Sequence, residues 1–451
     1  MSAPHYLIIG HGAAGLSAAE IIRKRDGAGR ITIVSKEPHL FYSRPGIAYV
    51  INGQVSPKQI IARNRSFYSE HNFNLRQATV TRIDPHAQRV TLQDGTQMAY
   101  DVLLLATGSS AVPPSFPGGD LEGVLTFDTL DDAKSVIHHT RRARSAVVVG
   151  GGITAMELAE GMNRQGARTH LLQRGDRIWP RLFDERESAI VAQQIEHEGI
   201  RLHCRKEVAE VLGRRGRVSG VRLQSGAEIA CQVLGVAIGV RPNIDVVRAL
   251  PIAQDKGVLV NQAMQSSIPT LFAAGDVAQV YDRWTGAHHL DVLWPSAINE
   301  GRAAGYNMVD VARGAPALNH RYEKGSPFNA ALLFGLHLTV IGRVGNSAED
   351  QKELTHMSRG SSNVWTAPFS SNTRCAWDKK GSNSLRIASN DGRIVGALLL
   401  GNQDLADPLR ELVEYSVDIS AFEAELFGAD SSRLPQVLLQ AWRAWKAARR
   451  A

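Results

Sequence analysis

Two stretches of this chain have residues whose types and spacing suit dinucleotide binding. The first is Gly10-His11-Gly12-Ala13-Ala14-Gly15, which follows the apolar run "YLII" and opens an Ala- and Leu-faced pattern. That order reads as strand, tight turn, helix. In such a turn Gly10 permits the reversal, Gly12 lets a pyrophosphate approach the backbone, and Gly15 lets helix and strand pack closely. The helix N-terminus offers unpaired N–H groups and a positive dipole end. An acid about 20 residues on should accept ribose hydroxyls, and Glu37 supplies it. The second stretch is Gly150-Gly151-Gly152-Ile153-Thr154-Ala155, after "AVVV", with alanine in the last glycine's place. Where its acid is expected stands Gln173, followed by Arg174 and Arg177. A carboxylate there would accept the 2′-hydroxyl of NAD and repel a 2′-phosphate. Glutamine removes the repulsion, and the arginines are either a phosphate clamp or solvated surface, so this unit leans toward tolerance of, or preference for, NADPH.

The elements that must position these turns form an internal repeat. Residues 6–34 and 146–173 both read strand, glycine turn, helix, strand, a βαβ unit used twice. Between them, "YDVLLLATGSSAVPPSFPG" (100–118) reads as a buried strand leaving a sheet. Residues 250–276 read as short strands, and a Pro-initiated helix spans 295–314. From about 326 the texture changes, with "NDG" at 390–392 a hairpin signal. The expected fold class is α/β: two Rossmann-like dinucleotide-binding domains plus a small C-terminal α+β domain. The expected boundaries are 1–120, 121–245, 246–325 (rejoining the first), 326–410, and a helical basic tail at 411–451.

Composition narrows the classes. The chain has 451 residues, 43% hydrophobic and 21% charged, an ordinary globular balance. Its three cysteines, Cys204, Cys231 and Cys375, are far apart and form no CxxC or CxxxxC. A disulfide framework and a cysteine-held cluster are disfavoured, and a reducing, cytoplasmic compartment is expected. "MSAPHYLIIG" runs straight into a strand and reads as no signal peptide. The longest apolar stretch, "NAALLFGLHLTVIG" (329–342), is too short to span a bilayer. The net charge of +7 has no aromatic-plus-basic recognition motif beside it, so nucleic acid is not the expected partner. His138-His139 and His288-His289 lack spaced ligand partners, and no metal site is expected.

The motifs "IIGHGAAGLSAAE", "YDVLLLATGSS", "VVVGGGITAMELAE", "AIGVRPN" and "LFAAGDVA", in this order from residue 6 to about 310, resemble the two-dinucleotide-domain flavoproteins of the pyridine nucleotide–disulfide oxidoreductase superfamily. The resemblance implies that the first unit binds FAD and the second, inserted one binds NAD(P)H. Gly10, Gly12, Ala13, Ala14 and Gly15 would hold the FAD pyrophosphate and Glu37 the adenosine ribose. Ala106, Thr107 and Gly108 would lie beside FAD, and Gly275 and Asp276 at its ribityl or phosphate portion. Gly150, Gly152, Ile153 and Ala155 would line the NAD(P)H pyrophosphate, with Gln173, Arg174 and Gly239 also in that site. Glu157 matches the acid near nicotinamide and flavin, a catalytic role; its alternative is a helix-surface carboxylate. The helix from Pro295 would aim its N-terminus at the flavin, and Trp294 either borders the ring or is core.

The loop "VSKEPHLFYSRPGI" (34–47) decides the branch. Cysteine-dependent members carry "FxSCxG" there; this chain has "FYSRPG", with Arg44 at or beside the thiol position. A guanidinium cannot attack a disulfide or peroxide as a thiolate does. The loop is similar to the "EP…YxRP/KP" loop of rubredoxin and ferredoxin reductases and of the flavin module of nitrite reductases. Arg44 and Pro45 are thus expected along the flavin, Arg44 in a catalytic place. Tyr49 stands near where several relatives have a lysine. The implied activity is hydride transfer from NAD(P)H to FAD, then electron delivery to an external acceptor: an acidic rubredoxin- or ferredoxin-type carrier or a partner reductase subunit. The alternatives are a redox-signalling protein with low turnover and a quinone or small-molecule reductase. The tail "RLPQVLLQAWRAWKAARR" (433–450) places Leu438, Leu439, Trp442 and Trp445 on one face. Such a helix packs on its own domain, docks an acidic iron–sulfur protein, or lies on a membrane surface.

Overall fold

The computed structural model describes residues 3–345, 357–428 and 430–450. The chain forms two compact units, residues 1–112, 128–130 and 240–324 in the first, and 113–127, 131–239 and 325–451 in the second.

Each unit is organised around a five-stranded parallel sheet with the glycine-turn strand in the middle. In the first, the order is Leu271–Ala273, Val102–Leu105, His5–Ile9, Arg30–Ser35, Phe73–Gln77. In the second it is Val233–Val236 beside Ser145–Val149, then Arg168–Leu172 and Arg201–His203, with Val124–Thr126 at the other edge. His5–Ile9 is buried along its whole length, as a strand covered on both faces must be. Both units also carry a three-stranded antiparallel arm, Val80–Asp84, Arg89–Leu92, Gln97–Ala99 in one and Val208–Arg214, Arg217–Leu223, Glu228–Ala230 in the other. The repeat therefore extends beyond the βαβ unit.

In the first unit the helices Ala13–Arg25 and Trp294–Ala312 pack backbone to backbone. A Cβ at Gly301 would be driven into the Ala14 carbonyl, and one at Gly305 would lie 3.1 Å from the Ala18 Cα. The spacing of four puts both glycines on one helix face. Deeper in, Lys324 sits 2.8 Å from Asp282 and 3.2 Å from Asp291, all three buried. Desolvation alone would lower the lysine's pKa, but the two carboxylates raise it.

In the second unit the residues after 325 form an antiparallel sheet of Phe328–Leu333, Leu336–Gly342, Arg393–Leu400, Asn383–Asn390 and Arg374–Lys380. The long apolar stretch is its first hairpin. "NDG" forms another, with Asp391 and Gly392 both at positive φ (48° and 71°). Buried Arg386 ties this sheet to the parallel-sheet portion of the same unit: it donates to Glu187 (2.8 Å) and the Leu182 carbonyl (2.6 Å), and also to the Val344 carbonyl (2.7 Å). Burial pushes the Glu187 carboxyl up to about 7 despite that guanidinium.

The tail differs from its expected face. The buried stripe of helix Leu434–Arg450 is Leu434, Val437, Leu438 and Ala441; Trp445 continues its line, partly exposed and 5.2 Å from the Tyr415 ring, while Leu439 and Trp442 flank it. Trp442 is turned to Glu411, on helix Ala406–Glu414, which accepts from Trp442 Nε1 and from Lys446, each at 2.7 Å.

Gly301→Val should cost about 3 kcal/mol or more, because a backbone carbonyl cannot yield as a side chain does. The check is a urea-unfolding midpoint beside that of Gly301→Ala, which should lose less.

Candidate functional site

The first glycine turn is set by the strand next to it. Gly10 (φ 117°) presses on the end of Val102–Leu105: a Cβ there would collide with the Ala106 carbonyl, and one on Gly15 with the Gly10 carbonyl. Among the described residues, a Cβ on Gly12 would meet nothing within 4 Å. Helix Ala13–Arg25 has no side-chain cap at Gly12 and no acid in its first turn. Its leading N–H groups, Ala13 and Ala14 included, are thus free of a competing side-chain acceptor, which is what an anion needs.

Beside this turn the structure brings together several expected residues. Thr107 Oγ1 donates to the Asn243 carbonyl, and Asn243 Nδ2 returns a bond to the Thr107 carbonyl, both 2.9 Å. Gly108 adopts φ 66° and accepts from Asn243 N at 2.9 Å. Asp276 accepts from Ser109 Oγ at 2.6 Å. Gly275 N donates to the buried Glu300 (2.7 Å), whose carboxyl burial pushes well above the usual range. Helix Trp294–Ala312 starts with Pro295 in its first turn and no side-chain cap. Trp294 is partly buried against the core and 5.7 Å from the Phe41 ring; Phe41 lies 6.2 Å from His11. Burial lowers His11 to about 4, so it is neutral near pH 7.

The 34–47 loop is held by charge. Glu37 accepts from Arg44 Nη2 at 2.6 Å and from Tyr42 OH at 2.7 Å. Arg44 Nη1 also reaches the Asp128 carbonyl (2.8 Å) and carboxylate (3.4 Å). Burial by itself would lower the Arg44 pKa, but Tyr42, Glu37 and Asp128 together raise it. Arg44 therefore joins the acid expected at the adenosine end, while Pro45 and Tyr49 are exposed. Sequence reading missed Asp128, Asn243 and Glu300. Each is far away in sequence; Asp128 and Glu300 have no local signature, and Asn243 was read only as the last residue of "AIGVRPN".

The second turn repeats the first. Gly150 (φ 144°) presses on the Ala237 carbonyl, Ala155 takes the last glycine's place beside it, and helix Ile153–Arg164 has no side-chain cap at Gly152. Gly239 is at φ 126°. Buried Gln173 folds back toward Gly151, and its Nε2 is 3.9 Å from Cys204 Sγ. Arg174 is 86% exposed and lies 3.5 Å from Glu207. Glu157, half-buried, lies on this helix. Burial pushes its carboxyl up to about 8; Glu160 adds to the rise and Arg359 opposes it. Among the described residues no three His, Cys, Asp or Glu side chains are grouped to hold a metal. Nor, among them, is any helix long and apolar enough to cross a membrane.

With this geometry in hand, the family model for pyridine nucleotide-disulphide oxidoreductases matches residues 4–290. The chain belongs to this family. It is an FAD-dependent NAD(P)H oxidoreductase of the branch without a redox-active disulfide, and its two Rossmann-like domains carry a small C-terminal domain. It is 30% identical over 339 residues to the NADH-dependent phenylglyoxylate dehydrogenase subunit epsilon of Aromatoleum evansii, covering 75% of this chain and 79% of that protein. It is 29% identical over 274 residues to the rubredoxin-NAD(+) reductase of Pseudomonas putida, covering 60% and 71%. The fold is also that of putidaredoxin reductase in its covalent complex with putidaredoxin (TM-score 0.82, 19% identity, 98% and 99% covered).

The Glu157 shift has a testable sign. Its folded pKa of about 8 lies above the ordinary carboxyl value of 4.5. The proton it holds adds stability that is fully present below 4.5 and lost as pH rises through about 8. Urea midpoints from pH 6 to 9 should fall more steeply for the native protein than for Glu157→Gln. Parallel slopes would refute the shift.

Proposed function

We propose that this protein takes hydride equivalents from NAD(P)H through FAD and hands the electrons to an external iron–sulfur carrier of acidic surface, or to a partner reductase subunit. The observation that carries this is Arg44. It stands in the thiol's place and is committed to Glu37 and Asp128, and the three cysteines are free and apart. The chain therefore offers no thiol centre to receive electrons after the flavin. Relatives named for rubredoxin reduction and as a dehydrogenase subunit support both kinds of acceptor. The free cysteines also support a cytoplasmic location.

Bound FAD supplies the two-electron to one-electron conversion. The residues do the rest. Gly10, Gly12, Ala13, Ala14 and Gly15 would cradle its diphosphate, and the open face of Gly12 fits that use. Glu37 would accept from the adenosine ribose while Arg44 and Tyr42 hold its carboxylate, which makes Arg44 a positioning residue. Asp276, fixed by Ser109, and the backbone of Ala106–Gly108 would border the ribityl chain. The uncapped helix at Trp294 and Pro295 would place its positive end against negative charge on the reduced ring. Glu157, its carboxyl raised to about 8, would present a neutral carboxyl to the nicotinamide near pH 7.

For the nucleotide, the lean is toward NADPH. It rests on Gln173 in the acid's place and on the exposed guanidinium of Arg174. Gln173→Glu should lower the NADPH-to-NADH ratio of kcat/KM roughly tenfold; an unchanged ratio would remove Gln173 from that role.

For the acceptor, Arg443 and Arg449 are exposed on the terminal helix. Reversing both to Glu should slow reduction of a rubredoxin or a [2Fe–2S] ferredoxin about tenfold at low salt and spare ferricyanide. Flavin that neither nucleotide reduces anaerobically would favour the redox-signalling reading. Turnover with quinone but with no carrier protein would favour a small-molecule reductase.

A further inference from the structure

The two glycine turns share strand, register and uncapped helix, yet differ at their central glycine. Among the described residues the face of Gly12 is open, with nothing within 4 Å of a Cβ there. At Gly152 the same face is filled: a Cβ would lie 3.0 Å from Ser358 Cβ and closer still to Ser358 Oγ. This is the face through which a diphosphate reaches the turn. Ser358 comes from the C-terminal portion of the same compact unit.

The segment around Ser358 is anchored. Asn329 Nδ2 donates to the Gly360 carbonyl at 2.8 Å. Ser361 Oγ donates to the Ser358 carbonyl. Ser362 caps the short helical turn Asn363–Thr366. Gly360, at φ 72°, faces the Ile153 side chain, with a Cβ position 3.8 Å from Cδ1. Arg359 acts electrostatically on Glu157, one helical turn after Ile153. Residues 358–360 thus lie as a strap across the first turn of the helix Ile153–Arg164.

We propose that this strap occupies the diphosphate subsite of the nucleotide site in the free protein and must lift for NAD(P)H to bind. The inference rests on the nucleotide reading of the second turn. Phosphate and Ser358 cannot share one face of Gly152, because both would sit within contact distance of the same backbone. Apparent affinity then falls by the fraction of molecules in which the strap is lifted: with the strap down in about 90%, Kd rises about tenfold. FAD at the first turn meets no such barrier. The two nucleotide sites therefore differ in access although their turns are alike.

The test uses the FAD-loaded protein with ADP-ribose, which carries the diphosphate without the nicotinamide, and with AMP, which has no diphosphate. Backbone amide exchange in 357–361 should rise on saturation with ADP-ribose and stay unchanged with AMP. Ser358→Gly, and Ser358→Gly with Arg359→Gly, should tighten ADP-ribose roughly three- to tenfold by calorimetry. Exchange that falls or stays level with ADP-ribose bound would overturn the proposal, as would variants that bind it no better. Flavin reduction by NADH and NADPH is followed in parallel. If neither nucleotide reduces the flavin or binds in any of the proteins, the nucleotide reading fails and the strap fails with it. Reduction in the variants but barely in the native protein supports both.

Discussion

Two carbonyl oxygens, those of Ala106 and Ala237, press on the backbones of Gly10 and Gly150. Everything the sites do depends on that approach. It closes the turn against the neighbouring parallel strand and aims the following helix N-terminus at the strand ends. It is fixed from the other side by one bond in each unit, Gly10 N to the Val34 carbonyl (2.8 Å) and Gly150 N to the Leu172 carbonyl (3.0 Å). A side chain at either glycine would break the strand–turn–helix corner and remove the anion site with it.

Around the first corner the polar groups are spent on one another. Glu37, Tyr42, Arg44 and Asp128 form one charged network, and Ser109, Asp276, Gly275 and Glu300 pin the opposite side. Exposed ion pairs contribute little, but this one is partly buried and links a loop to a segment more than 80 residues away. Its value lies in positioning more than in stability. The Arg44 guanidinium is a structural tie between Glu37 and Asp128.

Around the second corner the same motif is placed differently. Its helix start is covered by Ser358 of the C-terminal portion, and Gln173, just past its second strand, is a buried amide. Arg386, buried against Glu187 and two carbonyls, joins that portion to the nucleotide domain. Removing one partner of such a pair leaves an uncompensated buried charge, so the junction is not readily parted.

Both turns, the repeat, the Pro-started helix and the "NDG" hairpin were legible in sequence because each depends on local backbone demands: positive φ, a missing side chain, a missing N–H. The arginine in the thiol's place was legible too, as a difference in chemistry at one position. What Arg44 touches was not, since Asp128 has no local mark. The tail's amphipathic rhythm was legible, but the choice of Leu434, Val437, Leu438 and Ala441 as its buried stripe was set by where helix Ala406–Glu414 lies. By itself the sequence determined that two glycine turns of dinucleotide type exist and that its three cysteines form no CxxC or CxxxxC pair. The tertiary structure alone decided which carboxylates are paired, which is pushed up to about 8, and which glycine face is open. Those properties depend on through-space distance and burial, which local residue patterns do not encode.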